Sequence, residues 1–219
     1  MNPLIVVGDS HARALALGAR ALGYDVASFA TSGGAWRDGS VTLQKSGQLK
    51  SDHFRARQKI AAFQAETNSK SPLISGTPVV ASLGFHVSEF ISEFRSNKLG
   101  SYLSEDRGGD RQNLLSASFT RAYLQEQRRD MIKGLGKIAS KAPLVVVVPP
   151  NFRSWPLLRA INAELSAQIS AAGATVYNPN DTLTVKGILP DEYKHDDGRH
   201  GNQAFGTAVM QAIVDNGLL

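Results

Sequence analysis

Three side chains near opposite ends of the chain could together carry out acyl-group chemistry. Ser10 follows the β-favouring run Leu4-Ile5-Val6-Val7 and a Gly8-Asp9 step, while Asp197 and His200 stand three positions apart near the other end. A serine hydroxyl is a weak nucleophile until an adjacent base takes its proton. An imidazole serves as that base when a carboxylate accepts its Nδ1–H and leaves Nε2 open. The Asp197-x-x-His200 spacing suits this pairing, because one helical turn would put both side chains on one side. Ser10 has a plainer reading as the N-cap of the following helix, a position serine favours.

The elements that must bring these groups together can be read along the chain. Ala12 to Leu22 has a helical apolar face of Leu15, Ala19 and Leu22, with Gly23 as its C-cap. Tyr24 to Ala30 reads as a second strand and runs into Thr31-Ser32-Gly33-Gly34-Ala35-Trp36. The paired glycines fit either an ordinary turn or a close approach of backbone to a ligand. Residues 37–76 form a polar insertion, with a helix expected near His53 to Ala65 that uses Phe54, Ile60, Ala61 and Phe63. Lys45, Lys50, Arg55, Arg57 and Lys59 make its middle basic, as a solvated face or as a wall that attracts an anionic substrate.

Pro78 to Leu83 reads as a third strand ending in Gly84-Phe85-His86, followed by a helix carrying Val87, Phe90, Ile91 and Phe94. Residues 96–113 are polar and glycine-bearing and read as a lid or binding loop. Ser118 to Lys141 is a long amphipathic helix that includes Phe119, Tyr123, Ile132, Leu135 and Ile138, weakened near its end by Gly134 and Gly136. Pro143 to Val148 is a buried strand. Ser154 suits the cap of a helix with the stripe Leu158, Ile161, Leu165 and Ile169, and Ala174 to Tyr177 is a fifth strand. The last helix is expected to bury Ala204, Phe205, Ala208, Val209, Ala212 and Ile213. This order predicts one α/β domain over residues 1–219, a three-layer α/β/α sandwich on a mostly parallel five-stranded sheet, with polar insertions at about 37–76 and 96–113. The strand ends Gly-Asp-Ser, Ser-Gly-Gly and Gly-Phe-His would then share one sheet edge, where open α/β folds bind ligands.

Composition narrows the function. The net charge of +5 and pI near 9.6 mildly favour anionic partners, but no basic helix with interleaved aromatics argues for nucleic acid. Cysteine is absent, which excludes disulfides and thiolate metal sites. No apolar run approaches the ~20 residues of a membrane span, and no signal peptide is visible, so a cytoplasmic location is expected. His195, Asp196, Asp197 and His200 cluster in sequence, but the serine–histidine–aspartate reading already uses the pair, so neither a metal nor another cofactor is expected.

Taken together, the blocks resemble the SGNH (GDSL-type) hydrolase superfamily. Gly8-Asp9-Ser10 matches its nucleophile block, Gly33 (the better placed) or Gly34 its backbone-donating glycine, and Asp197-Gly198-x-His200 its last block. The resemblance implies a flavodoxin-like fold in which Ser10 attacks an ester carbonyl, His200 acts as base and Asp197 orients it. The oxyanion would be held by the N–H groups of Ser10 and Gly33. The family usually has Gly-x-Asn-Asp in its third block, where this chain has Gly84-Phe85-His86-Val87. A neutral imidazole at His86 could donate one N–H in place of the amide. The substitution matters, because losing one oxyanion donor slows such reactions ~100–1000-fold.

The implied activity is removal of a small acyl group from an ester, an O-acetyl group on a saccharide being the expected substrate. Asp9, His11, Gly34 and Trp36 flank the blocks as candidate substrate contacts. Two alternatives stay open. One is a sugar O-acyltransferase with the same triad, suggested by the Gly8-Asp9-Ser10-His11-Ala12 start. The other is a non-catalytic glycan-binding or assembly module with a degenerate oxyanion hole.

Overall fold

Strand β1 (Pro3–Gly8) is apolar at every position from Leu4 to Val7 because both faces of the sheet are covered. Its side chains alternate between two cores. Ile5 and Val7 point into one, Leu4 and Val6 into the other. The computed structural model describes residues 2–44, 46–85, 117–153 and 156–219. Around β1 are β2 (Asp25–Ala30), β5 (Val79–Ser82), β6 (Leu144–Val147) and β7 (Thr175–Tyr177). They form a five-stranded sheet in the order β2-β1-β5-β6-β7, with every pairing parallel.

Helices α3 (Phe54–Glu66), α4 (Ala117–Ala139) and α5 (Pro156–Ala171) cover one face. They contribute Ile60 and Phe63, Leu135 and Ile138, and Ile161, Leu165 and Ile169 to a core shared with Ile5, Val79 and Val146. Helices α1 (Ala12–Ala21) and α6 (Gln203–Asp215) cover the other, where Leu15 and Ala19 meet Phe205, Val209 and Ile213 over Val6, Val80 and Val145. The expected sheet with helices on both sides is therefore present.

Several expectations are corrected. The 37–76 segment contains an antiparallel pair, β3 (Val41–Leu43) with β4 (Leu49–Ser51), ahead of α3. Phe54 is 64% exposed and Ala61 is also exposed, so α3 packs through a narrower stripe than its apolar content suggests. Phe119 is 47% exposed and stacks on Tyr123 instead of entering the core. In α6, Ala204 faces solvent while Gly206 and Met210 are buried. The cause is a close helix contact: a Cβ on Gly206 would lie 1.8 Å from the Ala14 carbonyl oxygen, and one on Gly18 would lie 2.1 Å from the Gly206 carbonyl carbon. Backbone meets backbone there, which rolls α6 onto its glycine face. Gly134 and Gly136 do not fray α4. They admit Leu43 and Ala172 against the helix. The expectations for Lys45, His86, the helix at 87–94, the loop at 96–113 and the Ser154 cap lie outside the described residues.

Candidate active site

The site begins where β1 stops. A side chain on Gly8 would meet Ser82 Oγ at 2.2 Å and the Ser82 carbonyl oxygen at 2.8 Å, so glycine lets the ends of β1 and β5 close together. Asp9 is buried at this junction. Its Oδ1 accepts from the Ser82 hydroxyl at 2.7 Å and from the His11 N–H at 2.8 Å, which curls the chain into a turn around the intervening residue. That residue is Ser10. Helix α1 is then entered through His11, which sits in helical geometry and makes no side-chain cap. The Ser10 hydroxyl is thus not spent on capping.

It meets His200 instead. Ser10 Oγ lies 2.7 Å from His200 Nε2 across 190 positions of sequence. On its far side, His200 Nδ1 lies 2.6 Å from Asp197 Oδ2. The Asp197–His200 spacing works through a different geometry from the expected helical turn. Asp197 Oδ1 accepts from the backbone N–H groups of Arg199 and His200 at 2.8 and 3.1 Å, and Gly198 takes a φ of +64°. The result is a side-chain-closed turn of the kind aspartate favours. A bridge between Lys194 and Gly201 and a bond from the His195 N–H to the His200 carbonyl close its base.

The His200 hydrogen bond, followed by the Arg199 N–H, lowers the Asp197 pKa to about 2. An ionised carboxylate only accepts, so the proton between the two must sit on His200 Nδ1. Nε2 is left to accept from the Ser10 hydroxyl. Asp197 and His200 are 42% and 33% exposed, so water reaches the pair.

Residues the sequence reading passed over hold this arrangement. Asn202 caps α6 through the Phe205 N–H and donates its amide to the carbonyls of Glu192 and Lys194, riveting the His200 turn to the helix. Its sequence signal, an Asn just before an apolar-periodic run, was legible as an N-cap. Gly201 is needed because a Cβ there would strike the Phe205 ring at 2.3 Å.

The other candidates divide. His11 is half-buried, its ring 5.3 Å from that of His200 and stacked at 6.3 Å on Phe152, so it packs beside the imidazole. Gly33 and Gly34 do not form a bare turn. They open a short helix α2 (Gly33–Arg37) whose first turn is capped by the Ser32 hydroxyl on the Ala35 N–H. First-turn N–H groups have no partner within their own helix, which suits the donor role expected of Gly33. Trp36 is buried against Phe29, and its indole N–H donates to the Gly8 carbonyl at 2.9 Å. It is a strut under the site and faces the core. Asp9 is likewise turned inward. Among the described residues no group of three or more His, Asp or Glu side chains could hold a metal ion; His195 Nδ1 lies 3.7 Å from Asp197 Oδ2 and accepts from the Asp197 N–H.

The sequence matches no family model, and no curated protein matches it. Among solved structures, one similar to this chain is a protein from Streptococcus pneumonia provisionally described as a platelet activating factor. Identity is 15%, the match covers 100% of this chain and 84% of that one, and the TM-score is 0.49. Another is the psychrotrophic esterase EstA from Pseudoalteromonas sp., in a structure inhibited by monoethylphosphonate, at 15% identity, 100% and 99% coverage and a TM-score of 0.44. Likenesses this distant decide nothing about the chemistry, which rests on the contacts of Ser10.

Those contacts define a polarised hydroxyl. The charge that develops on His200 as it takes a proton from Ser10 Oγ is balanced by the ionised Asp197 at 2.6 Å. The site is open to solvent above, where Asp197 and His200 are partly exposed, and is held beneath by Asp9, Ser82 and Trp36.

Proposed function

We propose that this chain is a serine esterase of the SGNH type that removes a small acyl group from an ester, with an O-acetyl group on a saccharide as its substrate. The observation that carries the reading is the 2.7 Å contact of Ser10 Oγ with an imidazole whose other nitrogen is held by Asp197. Ser10 Oγ attacks the acyl carbon and its proton passes to His200 Nε2. The oxyanion is stabilised by the N–H groups of Ser10 and Gly33, with the His86 ring as a third donor. His200 then protonates the departing alkoxide as the ester C–O bond breaks, leaving the acyl group on Ser10. Water attacks this acyl-enzyme, gives a proton to His200, and the acid leaves as the proton returns to Ser10. The exposure of His200 and Asp197 favours water over a sugar hydroxyl as acceptor.

The test is covalent. A fluorophosphonate probe should phosphonylate Ser10 Oγ with loss of fluoride, detected by peptide mass spectrometry, and Ser10→Ala should abolish hydrolysis of p-nitrophenyl acetate in a protein with unchanged circular dichroism. Unaltered turnover in that variant would end the esterase assignment.

A further inference from the structure

A pocket of about 250 Å³ opens beside Ser10, between the start of α1 and the turn that carries His200. Ser10 and His200 line it together with the apolar Ala14 and Leu17 and the polar Arg13 and Gln203. Two of these residues are unusual for a bare surface. Leu17 is 46% exposed although the rest of its helix buries its apolar side chains well. The Arg13 guanidinium makes no hydrogen bond or ion pair with any described residue, and no acidic side chain shares the first turn of α1. The one carboxylate in the pocket, Asp197, is already engaged by His200 and two backbone N–H groups. Arg13 is therefore the charged lining residue whose side-chain hydrogen-bonding groups are left unengaged.

The reaction geometry says which half of an ester would lie there. His200 must hand its proton to the leaving oxygen, so the alcohol half departs on the His200 side of the attacked carbonyl. The pocket is lined by His200 and its turn, while the expected oxyanion donor Gly33 belongs to a different element and is not among the lining residues.

We infer that this pocket is the alcohol subsite and that Arg13 selects an alcohol bearing an anionic group, such as a carboxylated saccharide, with Leu17 and Ala14 covering its carbon skeleton. The inference rests on the esterase reading and narrows it from acyl esters in general to esters of anionic alcohols. A planar guanidinium suits a carboxylate better than a lysine would, because it can present two parallel donors.

The experiment compares 4-acetoxybenzoate with its neutral isostere 4-acetoxybenzamide, so that only the charge on the leaving alcohol differs. The full chain should favour the anionic ester in kcat/KM by roughly fivefold to tenfold at low salt, as expected of a charge-assisted contact in a half-open pocket. The preference should shrink as ionic strength rises. Arg13→Gln should reduce the ratio to near unity, Arg13→Lys should restore part of it, and Arg13→Glu should reverse it. Ser10-dependent hydrolysis with equal ratios in wild type and Arg13→Gln would overturn the inference and leave the esterase reading standing. If neither ester is cleaved, the esterase reading falls, and binding of 4-hydroxybenzoate followed by NMR then decides the subsite alone. Arg13-dependent shifts in Leu17 and Ala14 would uphold it, and their absence would overturn it.

Discussion

The Ser82 hydroxyl donates to Asp9 Oδ1 at 2.7 Å, inside the protein, and so fastens the end of β5 to the residue that precedes Ser10. The same carboxylate oxygen takes the His11 N–H, so one side chain holds both flanks of the serine. Removing the hydroxyl takes away a donor to a buried carboxylate. Ser82→Ala is expected to lower stability by about 1.5–3 kcal/mol, read as a shift of the urea midpoint at constant slope. Activity should fall as well, because Ser10 loses its fixed position. An unchanged midpoint would mean that the turn does not depend on this bond.

Asp197→Asn tests what the carboxylate charge contributes to catalysis. The amide keeps the shape but no longer balances a charged imidazole, nor does it enforce the proton on Nδ1. A loss of about a thousandfold or more in kcat is expected, with KM little changed.

The pH dependence of stability follows from the same carboxylate. The folded-state pKa of Asp197 is lowered from 3.8 to about 2, chiefly by the His200 hydrogen bond. A depressed carboxylate pKa adds stability that is fully present above the unfolded value and is lost as pH falls through the folded one. The stability difference between wild type and Asp197→Asn should therefore hold constant between pH 7 and pH 5 and decline from about pH 4 to pH 2. Urea titrations across that range will show it, and a difference that peaks in acid would contradict the assigned hydrogen bond.

The meeting of Gly18 with Gly206 governs how far apart the two ends of the site stand. Ser10 precedes α1 and His200 precedes α6, so the separation of these helices sets the separation of hydroxyl and imidazole. Gly206→Ala would thrust a methyl group into the Ala14 carbonyl. A stability loss of about 1–3 kcal/mol is expected from the overpacking. Residual folded protein should show kcat reduced by more than tenfold, as the base is moved off the serine. The conservative change Val209→Ala, on the same helix but facing the sheet core, should lower stability with a smaller effect on kcat.

Trp36→Phe removes the indole donor to the Gly8 carbonyl while keeping the aromatic contact with Phe29. The carbonyl still accepts from the Thr31 N–H, so the cost should be about 1 kcal/mol and no more. A larger loss, or altered selectivity among ester substrates, would give Trp36 the substrate-facing role that its burial argues against.

The local elements were legible because their signals are local. An unbroken apolar strand, a helical stripe such as Ile161-Leu165-Ile169, and an Asn before the last helix each state their own geometry within a few residues. The pairing of Asp197 with His200 was also readable from spacing. The turn that achieves it was not, because a three-residue interval fits a helix turn and an aspartate-closed turn equally well. Likewise the glycine pair at 33–34 was visible as a special point, but its use as the start of a short helix depends on the Ser32 cap and on Trp36 reaching Gly8.

The sequence by itself determined the α/β class, the five strands of the parallel sheet and the three residue types that could form a triad. Only the tertiary structure decided that Ser10 faces His200, that Trp36 and Asp9 turn inward, and that α6 packs on its glycine face and leaves Ala204 in water. Hydrophobic periodicity reports which side of an element is apolar, and it carries no record of the partner that side will meet. That partner is set by backbone contacts across nearly the whole chain, such as Gly18 on Gly206, and those contacts exist only once the layers have packed.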